Sequence, residues 1–234
     1  GYHRFNFLPR QLGRVLELGA GPYTKARLML ETAAAHGRPF SLTSLHLQDP
    51  MIHVYPHHAK NCSYANGTLC VVGHGCVPQL WLSAMKAEDL EEVDTFDTII
   101  MMNVLEHCQD AVRILTNIYR ALRPGGWFLF MDRYNYDDQP RGLGAKVTDR
   151  TQYNQHAPQR LEPNKDSMSR RLKMLKQYND VHPLTFTRGF HERHFMAAYN
   201  LKHHTIDPDF QLTFMAGTKN TTRPERGHTD PRST

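Results

Sequence analysis

No apolar run in the 234-residue chain approaches the roughly 20 residues that a membrane-spanning helix needs. No internal repeat is present either, which sets aside solenoid and propeller arrays. The chain also lacks a dominant block of like charge. Its net charge is +5, with 15 histidines, and cations gather only at Arg170, Arg171, Lys173 and Lys176 and between Arg223 and Arg232. That balance would suit phosphates, sulfated or carboxylated sugars, or RNA, but a solvated helix face and a loose end account for it equally well. The last stretch, 219–234, is without apolar residues and reads as a disordered tail. What remains is 40% hydrophobic, enough for one α/β domain with a buried core and a modest accessory segment. The first residue is Gly1, so a signal or anchor upstream would not be visible here.

Strand and helix signals alternate along the first half. Val15-Leu16-Glu17-Leu18 is a short apolar run, broken by Gly19-Ala20-Gly21-Pro22 and followed by a helical pattern through Ala35 that stops at Gly37. Residues 41–47 alternate as a second strand and end at Gln48-Asp49-Pro50. Residues 51–79, rich in His, Gly, Pro and Cys, read as an extended loop. Strands are expected at 80–85, at 95–102 (continuously apolar, hence buried on both faces) and at 127–131, with a helix over 110–122. Residues 134–189 break the rhythm and read as a polar insertion. A helix over 190–199 and a hairpin around Pro208-Asp209 would close the sheet. The pattern predicts a doubly wound, mostly parallel sheet of seven strands, the last antiparallel, with ligands at the carboxyl ends of strands one and two.

The glycine turn decides between nucleotide classes. Dinucleotide folds use G-x-G-x-x-G, whose third glycine permits close helix–strand packing, and here that position is Thr24. Glu17-Leu18-Gly19-Ala20-Gly21 instead resembles motif I of the class I S-adenosylmethionine-dependent methyltransferases. Further matches follow in order over residues 12–133. Asp49 falls where the family's acid receives the cofactor ribose, and a carboxylate can accept two hydrogen bonds from a vicinal diol. Ala87-Glu88-Asp89-Leu90 resembles the segment that contacts adenine, Phe96–Met102 with Asn103-Val104-Leu105-Glu106-His107 resembles motif IV, and Leu122-Arg123-Pro124-Gly125-Gly126 resembles the turn before strand five. The resemblance implies S-adenosyl-L-methionine as cofactor, with Glu17, Gly19, Ala20, Gly21, Asp49, Glu88, Asp89, Asn103 and Val104 as its contacts. It divides the chain into a cofactor-binding core (1–133), a substrate cap (134–189), a closing helix and hairpin (190–218) and the tail (219–234).

A cofactor that carries an activated methyl group needs little further chemistry, except a base when the acceptor is a hydroxyl. His107 is the first candidate base and His182, inside the cap, the second. Asn103, Glu106, His107 and Asp110 resemble a divalent-ion motif of some O-methyltransferases, but Asn103 stands where a carboxylate would be, so no metal is expected. The segment after strand four lacks the Asn/Asp-Pro-Pro-Tyr of amino-methylating relatives. Together with the long cap rich in His and Tyr, this favours O-methylation of a small hydroxylated molecule or glycan and argues against nucleic acid. An RNA 2′-O-methyltransferase and a binding protein without turnover are the alternatives, and the oligomeric state is not legible.

In the loop 51–79, Cys62, Cys70 and Cys76 have spacings that match no standard zinc finger. The loop also holds Asn61-Cys62-Ser63 and Asn66-Gly67-Thr68, two glycosylation sequons, and Asn220-Thr221-Thr222 is a third. A Cys62–Cys70 or Cys70–Cys76 disulfide would suit an oxidising compartment, whereas reduced thiols would suit the cytosol.

Overall fold

A computed structural model of the chain describes residues 7–58, 62–133, 186, 188–207 and 212–220. The strands are β1 (Gln11–Leu18), β2 (Ser41–Gln48), β3 (Cys70–Val71), β4 (Gly75–Cys76), β5 (Leu80–Ser83), β6 (Phe96–Met102), β7 (Leu122–Arg133), β8 (Tyr199–Asp207) and β9 (Leu212–Lys219). The helices are α1 (Lys25–Ala35), α2 (Tyr55–His58), α3 (Ala111–Ala121) and α4 (Arg188–His191). Seven strands form one sheet in the order β5-β2-β1-β6-β7-β9-β8. The first five of that order run parallel, while β9 pairs antiparallel with both β7 and β8. The expected doubly wound, seven-stranded architecture is therefore present, with β9 inserted between β7 and β8.

Strand alternation divides the core in two. Leu16 and Leu18, Ile99 and Met101, and Phe128 and Phe130 point to one face, where they meet Ile114, Leu115 and Ile118 of α3 together with Phe186, Phe190 and Phe195. Val15, Leu45, Leu47, Ile100, Met102 and Leu129 point to the other, against Ala26, Met29 and Leu30 of α1. Both helices begin on a side-chain cap. Thr24 accepts from the Arg27 amide (3.0 Å) at α1, and Asp110 accepts from the Arg113 amide (2.9 Å) at α3. Thr24, which displaces the third glycine of the dinucleotide pattern, thus serves as the N-cap of α1.

Several local expectations need correction. The loop 51–79 holds α2 and the β3–β4 pair, in which Cys70 faces Cys76 and is disulfide-bonded to it. Its Ile52, Tyr64, Leu69, Val71 and Val77 are buried in the α1-side core, so this segment packs as a strap. Apolar residues spaced too irregularly for one period, and the disulfide that closes so short a pair, hid that structure from a periodicity reading. The connection from β5 to β6 passes through a single 3₁₀ turn, Ala87–Asp89. The helix expected over 190–199 begins two residues earlier as α4, continues as a π turn (Glu192–Met196) and yields to β8 at Tyr199. Strand β9 runs through Lys219, the first residue assigned to the tail. The tail beyond 220, nearly all of the proposed cap, and His182 within it lie outside the described residues.

Candidate active site

Strand β1 is followed by its neighbour β2 on one side, and β6 occupies the other side, so the sheet reverses its winding between β1 and β6. In open α/β sheets, ligands enter at the carboxyl ends of strands at such a switch point. Two segments meet there: the glycine turn after β1 and the turn after β6.

The glycine turn is held from below by Glu17. Its side chain is buried, and its two carboxylate oxygens accept the amides of Lys25 (2.7 Å) and Ala26 (2.9 Å), the first turn of α1. Burial pushes this carboxyl up to about 7, against the lowering pull of those amides. Glu17 therefore fixes the angle between strand and helix. Gly19 and Gly21 have φ of +66° and +56°, a region that L side chains rarely adopt. A Cβ on Gly19 would stand 2.3 Å from Cγ2 of Val104, so the two segments touch through a position that admits only hydrogen. Nothing lies within 4 Å of where a Cβ on Gly21 would be, which leaves that side of the turn open to a ligand. Ala20 is buried between them.

Asp49 follows β2 and is nearly buried. Its Oδ2 accepts the Gly21 amide (3.1 Å), and its Oδ1 accepts the Met51 amide (2.8 Å) and the Tyr55 hydroxyl (3.2 Å). Gln48 is committed elsewhere: its amide nitrogen donates to the Lys86 carbonyl (2.8 Å). The strap closes from a third side, with the Tyr64 hydroxyl donating to the Gly21 carbonyl (2.8 Å) and the Ser63 amide to the Pro22 carbonyl (2.8 Å).

Beyond β6, Asn103 is exposed at φ +56°, a conformation that Asn tolerates better than most residues, and its amide donates to the Met131 carbonyl (2.7 Å). Leu105–His107 forms a 3₁₀ turn. Asp132, fully buried at the end of β7, accepts the Glu106 amide (3.2 Å) and the Arg133 amide (2.8 Å), and burial raises its carboxyl strongly. Glu106 is buried as well, with Oε2 at 3.5 Å from Nε of Arg133 and Oε1 at 4.0 Å from Nε2 of His107. The His107 side chain itself is 43% exposed. The result is a half-open imidazole on a rigid turn, three residues from the side chain that touches Gly19.

The residues singled out by sequence are thus only partly brought together. Glu17, Gly19, Ala20, Gly21, Asp49 and Val104 converge on one cradle. The carboxylates of Glu88 and Asp89 face α3 and the loop before it: Glu88 accepts the Gln109 amide (2.9 Å), and Asp89 lies 3.6 Å from Arg113. The sequence reading missed Tyr55, Tyr64 and Asp132. Of these only Asp132, an acid closing an otherwise apolar strand, left a signal to be found. Among the described residues, no group of three or more His, Cys, Asp or Glu is assembled for a metal ion.

The sequence model of a family described as "Methyltransferase domain" matches residues 1–183, and the chain belongs to that family. It is a class I S-adenosylmethionine-dependent methyltransferase, with S-adenosyl-L-methionine as its cofactor. The open glycine cradle beside a strand-end carboxylate fits that group. Solved structures share the fold. A candidate sarcosine dimethylglycine methyltransferase from Galdieria sulphuraria is 15% identical with a TM-score of 0.53, over 90% of this chain and 80% of that one. A candidate methyltransferase from Bacillus halodurans is 12% identical with a TM-score of 0.51, over 89% and 93% of the two chains. The YcgJ protein from Bacillus subtilis is 16% identical with a TM-score of 0.50, over 88% and 92%. A search of curated proteins finds no match.

Proposed function

We propose that this methyltransferase acts on an oxygen of a small hydroxylated molecule or a glycan, with His107 as the base. The observation that carries the reading is the placement of His107: a half-exposed imidazole beside the buried Glu106 carboxylate, on the turn whose Val104 touches Gly19. The cofactor supplies an electrophilic methyl group, so the chain has only to bind, align and take up a proton. In this reading the Gly19-Ala20-Gly21 backbone cradles the cofactor and Asp49 receives its ribose hydroxyls, partly in place of the Tyr55 hydroxyl. Asn103 and Val104 border the reacting end, and Glu88 and Asp89 flank the adenine through their 3₁₀ turn. Glu17 shapes the turn from beneath. His107 accepts the acceptor's hydroxyl proton as the oxygen attacks, and Glu106 stabilises the imidazolium that forms.

The test offers the protein isotopically labelled S-adenosylmethionine with matched pairs of phenols and anilines, simple glycans and a short RNA. Label in hydroxyl acceptors, lost with His107→Ala, is the expected result. Transfer to amines alone would refute the reading. Transfer to RNA with binding that falls steeply with salt would replace it by ribose methylation. Absence of S-adenosylhomocysteine binding to the folded chain would favour a binding protein without turnover.

A further inference from the structure

Of the two sequons whose asparagine lies among the described residues, Asn66-Gly67-Thr68 lies on the strap, in a setting that Asn220 lacks. Ala65, Asn66, Gly67 and Thr68 are consecutively exposed. The residues on either side, Tyr64 and Leu69, are each 1% exposed and anchored in the α1-side core. The Gly67 amide donates to the Tyr64 carbonyl (2.9 Å) and closes the turn between them. The sequon is therefore held out from the body on a fixed loop. Four residues on, Cys70 is bonded to Cys76, a linkage that forms and persists in oxidising compartments. An accessible acceptor and a disulfide in one segment are two separate marks of the same environment. At Asn220, by contrast, the backbone is engaged at the end of β9: its carbonyl accepts the Tyr119 hydroxyl (3.1 Å), and its amide donates to the Ala198 carbonyl (3.5 Å). Asn61 lies outside the described residues.

We infer that Asn66 is an N-glycosylation site and that the chain matures in an oxidising, glycan-transferring compartment. The donor is a lipid-diphosphate-linked oligosaccharide. Nδ2 of Asn66 attacks its anomeric carbon, the bond from that carbon to the diphosphate oxygen breaks, the lipid diphosphate departs with the electron pair, and the amide nitrogen loses a proton. Thr68 supplies the hydroxyl that the sequon requires. Because the turn faces solvent while Tyr64 and Leu69 face inward, the sugar projects away from the strap's contact with Gly21 and Pro22. The inference is independent of the methyl acceptor proposed above.

The test is mass spectrometry of the protein isolated from its own cells, digested without reduction and treated with peptide N-glycosidase in heavy-oxygen water. Conversion of Asn66 to ¹⁸O-labelled aspartate, on a peptide that retains the Cys70–Cys76 bond, is expected; an Asn66 found wholly unmodified would overturn the inference. A second measurement places the chain behind a secretory leader in eukaryotic cells. Thr68→Ala should remove one glycan from the mobility ladder and Thr68→Ser should keep it. A secreted wild-type chain with the disulfide closed and no sugar at Asn66 would also overturn it.

Discussion

The hydroxyl of Tyr64 donates to the carbonyl of Gly21 across 2.8 Å, joining a strap residue to the glycine turn 43 positions earlier. Tyr64 is buried, although the Gly21 end of the bond is only partly so. Tyr64→Phe keeps the ring and removes the donor. It is expected to cost about 1 kcal/mol of stability in urea titrations and to weaken S-adenosylhomocysteine binding several-fold by calorimetry. Unchanged affinity would show that the strap does not help to hold the turn.

Gly19 and Val104 compete for one volume. Gly19→Ala adds a methyl 2.3 Å from Cγ2 of Val104, at a φ of +66°. The backbone conformation alone costs on the order of 1–3 kcal/mol, and the clash adds to it. Val104→Ala in the same chain removes the two closest contacts, Cγ2 and Cγ1, but keeps Cβ at 3.0 Å and leaves the backbone strain in place. The double variant should therefore be more stable than Gly19→Ala alone and less stable than wild type, a coupling that a thermodynamic cycle measures.

Glu17 should make stability depend on pH in a definite direction. Its ordinary value is 4.5 and burial raises it to about 7. Between those values the folded chain keeps a proton that the unfolded chain has released, so stability falls as pH rises through this window and is flat above it. Glu17→Gln removes the titration. The stability of wild type relative to Glu17→Gln should thus decrease between pH 4.5 and pH 7, by about 3 kcal/mol at most. A difference that stays constant with pH would place the Glu17 carboxyl in its ordinary range.

Asp49→Ala and His107→Ala should separate binding from turnover. The first removes a carboxylate whose hydrogen bonds to hydroxyls are worth about 1.5–3 kcal/mol each, and calorimetry should show at least a tenfold loss of S-adenosylhomocysteine affinity. The second should leave that affinity intact and lower kcat about 10²–10⁴-fold, the range of general-base catalysis. The opposite pattern would exchange the two roles.

The sheet was legible because its strands carry their own signals. Buried runs such as Phe96–Met102 and the sharp glycine turn after Leu18 need no tertiary context to be read. The strap was not legible, since Tyr64 and Val71 are held by contacts with α1 and with Gly21 that no local period encodes. Asp49 was legible as an acid at the end of the second strand, whereas its bonds to the Gly21 and Met51 amides and the Tyr55 hydroxyl depend on contacts that no local period encodes. For Glu88 and Asp89 the sequence offered the acids but not their partners, the Gln109 amide and Arg113, which lie about twenty residues further on.

The sheet also acts as a partition. The strap, α1 and the glycine turn share one hydrophobic cluster, while α3, the turn after β6 and the C-terminal Phe186, Phe190 and Phe195 share the other. Substitutions on the second side can alter the packing beneath the turn that carries His107 while the packing of α1 and the strap stays as it is. In evolutionary terms, if His107 faces the acceptor as proposed, such a chain can change what it methylates without relearning how to hold the methyl donor.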